Sequence, residues 1–151
     1  MLIEFKEALT DSDRLYLKAC YNTNNIGKRS LIIDTYIIYS GNHRLGVFIA
    51  NITRDNNVQF SEPIIYLQHF SIFTQAVFKK VLVFLFFDMK VNFLLIKIYN
   101  TNKLMINLAN NFNFNFCGEI KDVDILGRGI CFYQLDKKDI LELFKNEDEL
   151  I

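Results

Sequence analysis

Asn102 is the polar side chain best placed for chemistry in this 151-residue sequence. It follows a short apolar, partly β-branched run, Phe93–Tyr99 (FLLIKIY), which predicts a buried strand. It precedes Leu104, Ile106, Leu108 and Ala109 on a short predicted helix, with Leu104 and Leu108 on one face at i, i+4. A carboxamide at a strand-to-helix turn can cap the helix by accepting one of its first N–H groups. It can also meet a ligand, because open α/β sheets bind ligands where strands give way to helices. Other chemistries lack their parts. His43 falls in a predicted hairpin turn and His69 in a loop, so no Ser-His-Asp or Cys-His arrangement is visible. Cys20, Cys117 and Cys131 show no CxxC spacing and no His/Cys/Asp cluster has metal-ligand spacing. No metal is expected, and the thiols are expected to be buried and reduced in a cytoplasmic protein.

The elements that must position Asn102 can be read in order. Met1–Ala8 alternates with period two and predicts a half-buried strand. Thr10 or Asp11 can cap a helix running to about Tyr21, and 22–30 (NTNNIGKRS) is a polar loop. Three β-rich runs follow, 30–40, 45–53 and 58–67, separated by turn compositions at 41–44 (GNHR) and 54–57 (RDNN). They predict an antiparallel meander. Pro63 lies inside the third run and needs an edge or a bulge, because proline cannot donate a ladder bond. A long helix is predicted over 75–89. After Gly118, segments 119–125 and 129–135 predict a hairpin around Leu126-Gly127-Arg128. The tail has Ile140, Leu141, Leu143 and Phe144 at helical spacing.

Composition narrows the class. The chain is 51% hydrophobic with 15 Phe and 7 Tyr, which excludes a disordered protein. Its formal net charge is zero, so no basic footprint for nucleic acid is present. The longest uninterrupted apolar run, 81–87, is far short of the roughly 20 residues a membrane-spanning helix needs. The start, MLIEFKEAL, carries acidic residues and no apolar core of a signal peptide. With no repeat and no linker, one domain over 1–151 is expected.

The stretch from Asn102 to Gly118 resembles the last third of the GCN5-related N-acetyltransferase (GNAT) fold, most of all the branch that acetylates ribosomal-protein N-termini and small amines. That family shows Asn, a short helix, Gly-Phe and a later Gly. Here these positions hold Asn102, Asn113, Phe114 and Gly118, and Asn is the residue that best replaces Gly at a positive φ. The order strand, helix, three-strand meander, helix, strand, helix, two strands is also that of the family. The resemblance implies an α/β fold with a mostly antiparallel mixed sheet, flanking helices and a β-bulge near Pro63, which parts two strands to admit a pantetheine arm.

The resemblance further implies acetyl-CoA as cofactor and a primary amine, on a small molecule or a protein, as acceptor. The coenzyme would lie on main-chain N–H groups of Leu67, His69, Ser71, Ile72, Phe73 and Thr74, at the start of the long helix, and on Asn102. The family has glycines where this chain has His69 and Ser71, if Gln75-Ala76 matches the usual Glu-Ala. Two readings stay open: a loop that still binds coenzyme, or a scaffold that no longer does. Glu62 would be the general base for the amine; its alternative is a solvated strand residue beside a bulge. The late-helix tyrosine that serves as acid in many members is replaced by Ala109, with Tyr99 and Tyr133 as substitutes to consider. A catalytically inactive relative serving as a structural or assembly component, for example of a phage particle, is the alternative function. A homo-oligomer or assembly partner is compatible with either.

Overall fold

The computed structural model describes residues 2–24, 34–68 and 73–144. In chain order the elements are β1 (Ile3–Lys6), α1 (Asp11–Asn24), β2 (Thr35–Ser40), β3 (His43–Ile49), β4 (Ile52–Asp55), β5 (Val58–Ser61), β6 (Ile64–Leu67) and α2 (Phe73–Val83). A π-helical turn (Phe84–Asp88) follows, then β7 (Phe93–Tyr99), α3 (Lys103–Asn111), β8 (Asn115–Ile120), β9 (Ile130–Asp136) and α4 (Lys137–Phe144). They form two compact units, the first from 1–51 and 63–81, the second from 52–62 and 82–151.

The first unit holds an antiparallel sheet in the order β1-β2-β3-β6. Consecutive residues Ile37 and Ile38 of β2 are both fully buried, so this inner strand is covered on both faces. Leu17 and Cys20 of α1 cluster with Ile37 and Val47, with Tyr16, Tyr39 and Tyr66 packed around them. Phe48 lies 5.0 Å from the Phe5 ring, centroid to centroid, and 5.9 Å from Tyr36. Burying one such side chain stabilises by about 1.5–3 kcal/mol. Thr10 caps α1, its Oγ1 accepting the Asp13 N–H at 3.1 Å.

The second unit holds a mixed sheet in the order β4-β5-β7-β9-β8, parallel only between β5 and β7. Strict alternation sorts its two faces. Leu94, Ile96 and Ile98 of β7 are buried, and their register partners Leu135, Tyr133 and Cys131 of β9 are buried with them. α4 lies against β9 and buries Ile140 and Phe144. The β4–β5 hairpin turns on Asn56 and Asn57, at φ 44° and 70°. Two positive φ values match the right-handed twist of a two-residue hairpin, and Asn tolerates them.

Several expectations need correction. The run 45–53 is not one strand: β3 ends at Ile49 and β4 starts at Ile52, with Asn51 at φ 46° between them. Likewise 58–67 divides into β5 and β6 at Glu62-Pro63. His43 is exposed but opens β3, because Gly41-Asn42 alone makes the turn. On α3 the buried residues are Leu108 and Ala109, while Leu104, on the same face as Leu108 but in the first turn, is 65% exposed. β8 starts at Asn115, and Gly118 lies within it at a bulge. Cys20 and Cys131 are buried, but Cys117 is exposed on β8, the edge strand. No described helix is long and apolar enough to cross a membrane.

Candidate active site

Leu67 stands near the end of β6, the edge strand of the first sheet. Strand geometry fixes where its amide points. Gln68 donates its N–H to the Leu45 carbonyl of β3 at 3.0 Å. Alternation along an antiparallel pair then turns the Leu67 N–H away from β3, toward the sheet edge. Pro63 precedes this strand and contributes no N–H. Gly46 faces Leu67 across the ladder, and its missing Cβ leaves space that the Tyr66 carbonyl oxygen occupies.

The β5–β7 ladder is short. It pairs Phe60 with Phe93 and Ser61 with Leu94, and the next residues are Glu62 and Pro63. The Asn92 side chain extends it backward, accepting the Gln59 N–H at 2.8 Å, while the Asn92 N–H donates to the Gln59 carbonyl at 2.7 Å. Phe60 and Phe93 stack at 5.0 Å with their planes 3° apart.

Glu62 projects to the half-exposed face of the second sheet. Its Oε2 meets Lys97 Nζ at 3.5 Å, and both side chains keep solvent contact (38% and 55% exposed). Tyr99 shares that face, with the Arg128 guanidinium 4.2 Å over its ring. Arg128 is held in turn by Asp124, Nε to Oδ2 at 2.6 Å. Tyr133 lies on the opposite, buried face, where burial pushes its phenol above the ordinary range. Ala109 is fully buried and carries no acid.

Asn102 caps α3. Its Oδ1 accepts the Met105 N–H at 3.3 Å, a bond worth about 1 kcal/mol. That bond leaves the carboxamide nitrogen uncommitted to the cap. Asn113 takes φ 61°, the conformation for which Gly or Asn is needed. Thr74 is half-buried in the first turn of α2, and Phe73 opens that helix. His69, Ser71 and Ile72 lie outside the described residues. Glu62 and Asn102 thus belong to the second unit, and Leu67, Phe73 and Thr74 to the first. Among the described residues no cluster of His, Cys, Asp and Glu could hold a metal ion.

A charged network in the first unit joins residues far apart in the chain. Asp13 is 8% exposed; its Oδ1 accepts from Tyr39 Oη at 2.5 Å and from Arg44 Nη2 at 2.8 Å. Arg44 Nη2 also reaches Ser12 Oγ at 2.9 Å. The Tyr39 hydroxyl, followed by the Arg44 guanidinium, holds the Asp13 carboxyl below the usual carboxylate range against the opposing effect of burial. A depressed folded pKa means the stabilisation is complete above the unfolded value, about 4, and is lost as pH falls through the folded one. Asp13→Asn is expected to cost about 1.5–3 kcal/mol at neutral pH, the range for hydrogen bonds to a charged group. The variant should also show a shallower loss of stability below about pH 4, read by urea unfolding across pH.

No family model and no curated protein matches the sequence. Solved structures do match in three dimensions. Mutant forms of the spermidine/spermine N-acetyltransferase SpeG from Vibrio cholerae align with a TM-score of 0.77 at 10% identity, covering 93% of this chain and 97% of that one. A ribosomal-protein-alanine N-acetyltransferase from Brucella melitensis aligns at 0.66 and 16% identity, covering 90% and 99%. The Campylobacter jejuni N-acetyltransferase PseH, solved in complex with acetyl coenzyme A, aligns at 0.64 and 15% identity, also over 90% and 99%. With the observed order of strands and helices, these alignments establish that the chain has the GCN5-related N-acetyltransferase fold.

Proposed function

We propose that this chain is an acyl-CoA-dependent N-acetyltransferase acting on a primary amine. One observation carries the reading: the parallel ladder stops at Ser61 and Leu94, Pro63 follows, and the Leu67 N–H then points off the edge of its own sheet. An edge strand with outward N–H groups can receive an extended, amide-bearing arm as a strand would. The main-chain N–H of Leu67 and those at the start of α2, Phe73 and Thr74, are the groups that would hold the coenzyme, with the Asn102 carboxamide as a further contact. Acetyl-CoA supplies the acyl group as a thioester, whose carbon–sulfur bond breaks as the carbon–nitrogen bond to the amine forms.

The chain's own residues have distinct tasks. Glu62 accepts the proton that the acceptor ammonium must lose before its nitrogen has a lone pair to offer. Lys97 keeps that carboxylate oriented while it waits. The Leu67 N–H is the donor for the carbonyl oxygen, on which negative charge grows during attack. The departing thiolate takes a proton from solvent, since Ala109 supplies none.

Isothermal titration with acetyl-CoA tests this reading. Saturable binding is expected, followed by release of free thiol when an amine is added. No detectable binding at millimolar ligand would end it. A second reading, a non-catalytic scaffold, draws support from His69 and Ser71 in place of the family glycines; it expects a folded chain that fails the same titration.

A further inference from the structure

We propose that the acceptor is a monoamine on an apolar carrier, selected by the half-exposed face of the second sheet, with Lys97 rejecting polyamines. The proposal rests on the transferase reading above and assigns its substrate class. Its ground is the register. Leu95, Lys97 and Tyr99 of β7 lie opposite Gln134, Phe132 and Ile130 of β9. None of these six is buried, whereas every residue alternating with them is. One face of the β7–β9 pair is therefore core, and the other sets Leu95, Phe132, Ile130 and Tyr99 around Lys97 and Gln134 and stays reachable. Glu62 is on the reachable face, since its carboxylate meets Lys97 there.

The apolar surface runs on past Lys97. Phe132 pairs with Lys97 on one side and with Gly118 of β8 on the other. Gly118 itself has no side chain to lay over Phe132, and a Cβ there would meet nothing within 4 Å. An amine delivered to Glu62 thus has Leu95 and Phe132 beside it to receive an alkyl or aryl body.

Charge sets the second limit. Glu62 can exchange Lys97 for one ammonium. A second or third ammonium on the same molecule would face the Lys97 ammonium, and further along the strand the Arg128 guanidinium over Tyr99. Each added like-charge contact disfavours binding, by an amount that solvent screening on this exposed face reduces. A polyamine loses on both counts, since its methylene runs are short and each is flanked by positive charges.

The test uses the full chain with acetyl-CoA and three probes: hexylamine, phenethylamine and spermidine. kcat/KM for the two monoamines is expected to exceed that for spermidine by tenfold or more. Lys97→Glu should shift the ratio at least tenfold toward spermidine, with Lys97→Met in between. Phe132→Ala should raise KM for hexylamine about tenfold and leave its kcat nearly unchanged. Spermidine as the preferred acceptor, or a ratio unmoved by Lys97→Glu, overturns the proposal. A second readout omits the coenzyme. Hexylamine should shift the backbone amide signals of β7 and β9, and spermidine should not. Equal shifts from both, in a chain that binds acetyl-CoA, would sink the acceptor assignment and spare the transferase reading. Hexylamine shifts in a chain that ignores acetyl-CoA would do the reverse.

Discussion

Gly46→Ala should be the most damaging single-methyl change in the first unit. The new Cβ would be driven into the carbonyl oxygen of Tyr66, closer than non-bonded atoms tolerate. Both sides of that collision are main chain, so no rotamer can relieve it and β6 must move. A cost of about 3 kcal/mol is expected, at the upper end for overpacking, which corresponds to a fall of roughly 6–12 °C in Tm. Circular dichroism during heating measures it. Gly41→Ala is the control: its Cβ would meet nothing, and only its φ of 60° resists, at about 1 kcal/mol. Equal losses in the two variants would mean that β3 and β6 do not approach as closely as described. Because β6 carries Leu67, the Gly46 variant should also lose acetyl-CoA affinity, even at temperatures where it stays folded.

Glu62→Gln should separate catalysis from folding. General-base catalysis is worth about 10²–10⁴ in rate, so kcat/KM at pH 7 is expected to fall at least 100-fold. The deficit should shrink as pH approaches the pKa of the acceptor amine, because a free amine no longer needs the carboxylate. Stability should change by less than about 1 kcal/mol, since the ion pair with Lys97 is solvent-exposed on both sides. A pH-independent deficit would instead point to Glu62 as a positioning group. Unchanged turnover would remove it from the mechanism.

Much of this arrangement is visible in the sequence because it is local. The run Phe93–Tyr99 forms the strand that its apolar residues predict, Asn102 caps the helix after it, and Asn113 takes the positive φ that its alignment with glycine requires. Lys97, the single charge in that run, marks the reachable face by period two alone. What escapes is set by long-range geometry. Nothing in 45–53 or 58–67 shows that each run serves two sheets. The breaks sit at Asn51, whose positive φ is a weak signal, and at Pro63, which is a stronger one. The Gly118 bulge moved the last hairpin by several residues, because an inserted residue breaks the alternation used to find a strand. The Asp13–Tyr39–Arg44 network joins residues 26 and 31 positions apart, beyond any spacing rule for helices or strands.

The unequal burial of the three cysteines gives the chain an internal clock for unfolding. Only a thiolate attacks an alkylating reagent or an aromatic disulfide. Burial raises the pKa of both Cys20 and Cys131, so these two are shielded by acidity as well as by access. Cys117 is exposed on the edge strand β8. Native protein therefore consumes one equivalent of reagent at once, and the remaining two report, each from a different unit, on how often that unit opens.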